Sequence, residues 1–263
     1  MAISIEDIKK LRAMTGAGLA DVKKALTEAE GDFDKAKELL RERGLAIAAK
    51  RSDRETSNGC VLVKKVEGFA AMVAVKCETD FVANGKDFIQ MTQEILDAAV
   101  AARAKSLDEV KVLKLANGEE AQAVVTQRSG ITGEKMELDG YNFLEGDNVS
   151  VYDHMGKHTL ATMVQFNAEN EDAGHKIAMQ VAAMNPKYIS RDDVDPEYIA
   201  HETEVLTQQA LNEGKPANIV EKMVVGRLNK ELKEVCLVDQ VFVKDSELTI
   251  SKLIAKVAKE VAS

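Results

Sequence analysis

The chain has 263 residues, 45% hydrophobic but only 4% aromatic, no Trp, and a formal net charge of −9. That length allows one or two domains, and their cores must be aliphatic. The acid excess argues against a nucleic-acid binder, which carries a basic face, and points to a protein partner. No apolar run is long enough to span a bilayer, so no membrane role is expected. The start, Met1 to Asp7, lacks the basic-then-apolar form of a signal peptide. Cys60, Cys77 and Cys236 are far apart and unpaired in spacing. That pattern fits a reducing, cytoplasmic setting better than a disulfide scaffold or a zinc site.

Residues 1–45 predict three short helices. Ser4 with Asp7 three residues on is close to a capping box, ahead of an Ile8, Leu11 and Met14 stripe. Gly16 and Gly18 break that helix. Leu19, Val22, Leu26 and Ala29 stripe the second. Asp32 caps a third, carrying Phe33, Ala36 and Leu40 and stopping near Gly44. Helices this short are unstable alone and must pack as a bundle. Residues 46–57 are polar and aperiodic, and read as a linker or as a helix running out of the bundle.

From residue 59 the period changes to two. Cys60 to Val63 meets a Glu67-Gly68 turn, and Ala71, Val73, Val75 and Cys77 then alternate with Met72, Ala74, Lys76 and Glu78. This is a β-hairpin. A helix follows from about Asp87, with Phe88, Met91, Ile95 and Ala99 on one face. The same plan returns downstream. Val149 to Tyr152 and Leu160 to Phe166 flank Gly156, and a helix through Ile177, Met179 and Val181 stops at Asn185-Pro186. The repetition suggests two similar α/β subdomains. Residues 197–212 and 217–234, joined by a Gly214-Lys215-Pro216 turn, predict an inserted antiparallel helical hairpin. Val241 to Val243 is a last strand and Ile250 to Val261 a last helix. The expected class is α+β. Its parts are a three-helix module (1–45), a linker (46–57), a first core subdomain (58–140) and a second (141–263) that contains the hairpin.

Three places invite a functional reading. Thr15-Gly16-Ala17-Gly18 follows no strand, so it is no dinucleotide fingerprint. It connects two helices, and Lys9, Arg12, Leu19 and Ala20 around it can make a small protein-contact patch. Asp80-Phe81 lies at a strand-to-helix turn. Read alone, Asp80 can cap the helix and Phe81 can fold into the core. Read as a projecting turn, the pair is a wedge for another protein's cleft. His154 and His158 flank Gly156 in a hairpin, not on a helix face, and so read as solvated turn residues, not a metal site or a hydrolase centre.

Several motifs occur together in order: Thr15 to Gly18, Thr79 to Val82, Tyr152-Asp153-His154, Ile177 to Ala183, Gly214-Lys215-Pro216 and Glu221 to Arg227. Their order and separation resemble the elongation factor Ts family, nucleotide exchange factors of elongation factor Tu. The resemblance implies a UBA-like N-terminal module that docks on Tu through Lys9, Arg12, Leu19 and Ala20. It implies that the turn Thr79, Asp80, Phe81, Val82 inserts beside the magnesium and phosphate site of Tu. It implies a grip by the second subdomain, with Lys176 and Met179 as contact residues. It also implies that the helical hairpin pairs two complexes. The partner would be Tu in its GDP-bound and nucleotide-free forms. No catalytic residue, cofactor, metal or direct nucleic-acid contact is expected, and the protein would not be an enzyme. The chain departs from the family pattern between Gly130 and Gly140, where paired arginines are missing, and at Lys176, where some members have His. It also ends soon after Val261, where many members continue into a strand.

Overall fold

The computed structural model describes residues 3–261. Helix α1 (Ile5–Thr15) begins on a reciprocal Ser4–Asp7 capping box. It ends at Gly16, whose φ of 68° is the left-handed conformation a helix C-cap favours. Helix α2 (Leu19–Glu28) follows, and Asp32 caps α3 (Phe33–Ala49) by accepting from the Asp34 and Lys35 amides. Leu11, Val22, Ala25, Leu26 and Ala36 form a buried cluster of their own. Met14, expected in that stripe, is 54% exposed. Met14 lies in the last turn of α1, and its side chain stands outside that cluster.

Gly44 does not stop α3. It is buried inside the helix, which runs five residues further. Of the two readings of 46–57, the helix running out of the bundle holds over 46–49, and Lys50 to Ser57 make the linking turn into the next element.

Strands β1 (Asn58–Val66) and β2 (Phe69–Cys77) form the expected antiparallel hairpin, with Cys60 opposite Val75 and Leu62 opposite Val73. Ala71, Val73, Val75 and Cys77 are fully buried. Then come α4 (Asp80–Ala83), α5 (Lys86–Ala102), α6 (Leu107–Val112) and α7 (Ala121–Thr132). Strand β3 (Met136–Glu145) completes a three-stranded sheet in the order β1-β2-β3, with a register shift at Ala74/Val75. Phe88, Met91, Ile95 and Ala99 of α5 pack on this sheet in one large cluster. Strand β3 crosses residue 140, where a subdomain boundary was expected, because its ladder runs along β2 and ties it to the first core.

Strands β4 (Val149–Asp153) and β5 (Ala161–Gln165) pair with each other, and α8 (Glu171–Met184) follows. The order of hairpin, polar turn and helix is thus present twice. Helices α9 (Pro196–Asn212) and α10 (Ala217–Val235) form the helical hairpin, joined at Gly214 with φ 74°. Strand β6 (Val241–Phe242), β7 (Asp245–Thr249), which the sequence reading lacked, and α11 (Ile250–Val261) end the chain. Two compact units result: Met1–Val149 with Asp153–Met163, and Ser150–Tyr152 with Val164–Ser263. The class is α+β, as expected.

Inside the second unit, Gln180 is fully buried yet fully engaged. Its amide nitrogen donates to Gln240 Oε1 and to the Val241 carbonyl, both at 3.1 Å. Its oxygen accepts from the Val243 amide at 2.9 Å. Gln240 in turn donates to the Glu234 carbonyl at 2.7 Å. A buried amide this well satisfied incurs no desolvation deficit and fixes its neighbours in one arrangement.

Candidate functional site

The chain leaves β2 at Cys77 and turns at once into the four-residue helix α4. Thr79 caps it, with its hydroxyl accepting from the Val82 amide at 3.4 Å. Asp80 is the first helical residue, so Thr79 and not Asp80 is the cap. The loop is held by side chains from distant elements. Glu134 accepts from the Thr79 amide at 3.1 Å and from its hydroxyl at 2.6 Å. Glu78 accepts from the Lys135 amide at 2.6 Å and pairs with Arg54 at 3.0 Å. Asn58 donates to the Glu78 carbonyl at 2.9 Å. The Lys135 amide and then the Arg54 guanidinium hold the Glu78 carboxyl below the usual carboxylate range.

Those bonds leave the turn's own side chains divided. Ala83 is buried in the first core and Val82 packs half-buried against it. Asp80 is exposed, and among the described residues no ion pair engages its carboxylate. Phe81 is 87% exposed, the most exposed large apolar side chain in the described residues. A pinned backbone therefore presents a bare aromatic ring beside an acid. Nearby Cys77 is fully buried, and burial pushes its thiol up to about 11, far from a reactive thiolate.

On the N-terminal module, Lys9, Arg12, Leu19 and Ala20 are all exposed, Leu19 at 57%. Arg12 lies in the last turn of α1 and Leu19 opens α2, on either side of the Thr15–Gly18 turn. In the second unit the two expected contact residues are more constrained. Lys176 is half-buried and ion-paired with Asp172 one turn before it. Met179 packs against the cluster of Ile177, Leu237 and Phe242. His158 donates its ring to Asp153 Oδ2 at 2.7 Å, and among the described residues no group of three potential ligands is placed to hold a metal ion. No described helix is long and apolar enough to cross a membrane.

A family model described as "Elongation factor TS" matches residues 78–263, starting one residue before the Thr79 turn. The chain belongs to the elongation factor Ts family. The N-terminal module is covered by whole-chain relatives, each named "Elongation factor Ts". One from Bacteroides fragilis is 44% identical over 99% of this chain and 96% of its own length. One from Porphyromonas gingivalis is 47% identical over 96% of this chain and 92% of its own. One from Clostridioides difficile is 48% identical over 99% and 88%. Membership in the elongation factor Ts family makes the chain a translation elongation factor.

Glu134, Arg54 and Asn58 were not legible as site residues in the sequence. Glu134 is 55 positions from Thr79. No periodicity links them, and the only local sign is an acid after the Gly133 helix stop.

Proposed function

We propose that the chain is a nucleotide exchange factor that binds elongation factor Tu carrying GDP and drives GDP release. The observation that carries this reading is Phe81, 87% exposed on a turn whose backbone is fixed by Glu134 and Glu78. An aromatic held outward pays no folding return, and its burial has to come from another protein.

The physics of exchange is linkage. A factor that weakens GDP binding to Tu is itself weakened by GDP to the same degree. It must prefer the nucleotide-free shape of Tu, because a ligand shifts an equilibrium only by its differential affinity. Burying Phe81 supplies roughly 1.5–3 kcal/mol. At about 1.4 kcal/mol per decade, that weakens GDP by one to two decades. The rest comes from disturbing the magnesium ion and phosphate loop of Tu, since phosphate charge left without its cation is poorly compensated, and from remote contacts by Lys9, Arg12, Leu19 and Ala20. Lys176 and Met179 mark the second unit's share of the interface. The chain makes and breaks no covalent bond in this reading, and so is not an enzyme. The helical hairpin α9–α10 pairs two such complexes.

Release of fluorescent GDP from Tu, followed with and without this protein, tests the reading. A marked acceleration supports it. A release rate equal to the spontaneous one overturns it.

A further inference from the structure

One short segment touches both of the surfaces just assigned to the partner. In α7, Arg128 reaches the module: a Cβ on Gly16 would lie 3.4 Å from its Nη1 and 3.9 Å from Ile131 Cγ2. The same guanidinium is paired with Asp87 of α5 at 2.5 Å and is mostly buried. Two residues on, Gly130 meets Gly44 of α3 backbone to backbone. A Cβ on Gly130 would fall 2.2 Å from Gly44 Cα, far inside any real contact, whereas one on Gly44 would sit an ordinary 3.5 Å from Gly130 Cα. Beyond the helix end the segment turns to the other surface. Buried Ser129 donates its hydroxyl to the Glu134 carbonyl at 2.5 Å, and the Glu134 carboxylate grips Thr79.

We infer that Arg128, Gly130 and Glu134 are positioning residues for exchange: together they lock the N-terminal module and the Phe81 turn into one rigid two-point ligand. The inference rests on the exchange reading for its functional half. Two contacts on a rigid body bind with an effective concentration set by their spacing, and this advantage fades when one of them swings free. The Thr15–Gly18 turn then has an intramolecular task, as the seat of the module on α7, while the residues beside it face outward. The close Gly44–Gly130 crossing is what requires a residue without a side chain at position 130.

The asymmetry of that crossing gives the test. In the full chain, spin labels are placed at the exposed sites Ala13→Cys and Lys86→Cys. The native Cys60, Cys77 and Cys236 are buried and stay unlabelled. Distance distributions and Tu-GDP release are measured for the labelled parent, Gly130→Ala and Gly44→Ala. The expected result is one narrow distance in the parent and in Gly44→Ala. Gly130→Ala should give a shifted or broadened distance and a roughly tenfold loss of exchange at low factor concentration, recovered at saturation. Circular dichroism and thermal melting on the same samples separate positioning from a general loss of folded protein, which would shift the concentration dependence in the same way. If Gly130→Ala does not fold by circular dichroism, Arg128→Ala, which removes the module contact without crowding the backbone, is read the same way. A narrow, unshifted distance overturns the lock, and a broadened distance with unchanged exchange overturns the positioning role. If the parent itself fails to accelerate GDP release, the exchange reading falls, while the distance data still decide whether the lock exists.

Discussion

Phe81 and Asp80 are neighbours on one turn, yet their loss should be felt differently. Phe81 makes few intramolecular contacts, so Phe81→Ala should leave the melting temperature nearly unchanged. At an interface, truncating a central aromatic anchor costs about 2 kcal/mol or more, roughly a thirtyfold slowing of GDP release from Tu. Asp80→Ala should cost less, because its carboxylate caps nothing and the Thr79 cap remains. Stopped-flow release and thermal melting on the same samples separate the two. A large melting drop with normal exchange would place Phe81 in the core and end the wedge reading. Glu78 makes a prediction of the opposite kind. Its folded carboxyl is held below its ordinary range by the Lys135 amide and Arg54. The stability it contributes is therefore complete above the ordinary carboxylate range, and it fades as pH falls through the lowered folded value. Glu78→Gln should melt lower than the parent near neutral pH, with the gap closing on acidification. A gap that is constant with pH would show that the carboxylate charge is not what holds the loop.

Among the elements, the helical hairpin is the clearest case of local self-sufficiency. Ala210, Val220 and Val224, with Leu206 against them, bury a seam between α9 and α10. Arg227 and Glu213 pair across the turn end at 2.7 Å. Near that end Leu211 and Ile219 stay exposed, and Val225 further along α10 does too. Replacing residues 197–234 with a short Gly link should change the oligomeric state of the Tu complex more than the exchange rate. Light scattering that finds the same mass with and without the hairpin would sink the pairing role. These helices were readable because their stripe and turn residues are local. Helix α3 was misread at its end for the same reason in reverse. A glycine in a helix reads locally as a stop, but Gly44 is set by a helix distant in the chain. Helix α7 and strand β3 carry no comparable local signal. The apolar residues of α7, among them Ala121, Val124, Val125 and Ile131, do not keep to one clean stripe, because the helix packs against both α3 and the first core.

For the molecule as a whole, the two clusters of the first unit share no residue. One is built from α1 to α3, the other from the sheet and α5 to α7. Deleting residues 1–53 should therefore leave a folded core that melts cooperatively, while crippling exchange. A cut at residue 45 would instead leave the end of α3 behind. Full exchange by the shortened chain would remove the module from the interface. The family, the three-helix module, both β-hairpins and the helical hairpin were legible because they reside in motifs and in periods of two and 3.6, whereas the residues alone left Phe81 open between core and projecting turn. The pins on that turn, Glu134 and Arg54, and the Arg128–Gly130 contacts were not. They join residues that are neighbours only after the chain has folded.

The buried Gln180 has a consequence on the time axis. Val243 lies in a turn just past a two-residue strand, and its side chain is 45% exposed, so its amide would ordinarily trade its hydrogen with water within the first moments of a labelling experiment. Instead that amide is given to a side chain sealed among α8, Gln240 and Val241. It can be released only when the surrounding unit opens, so this turn amide should exchange as slowly as those in the middle of α8.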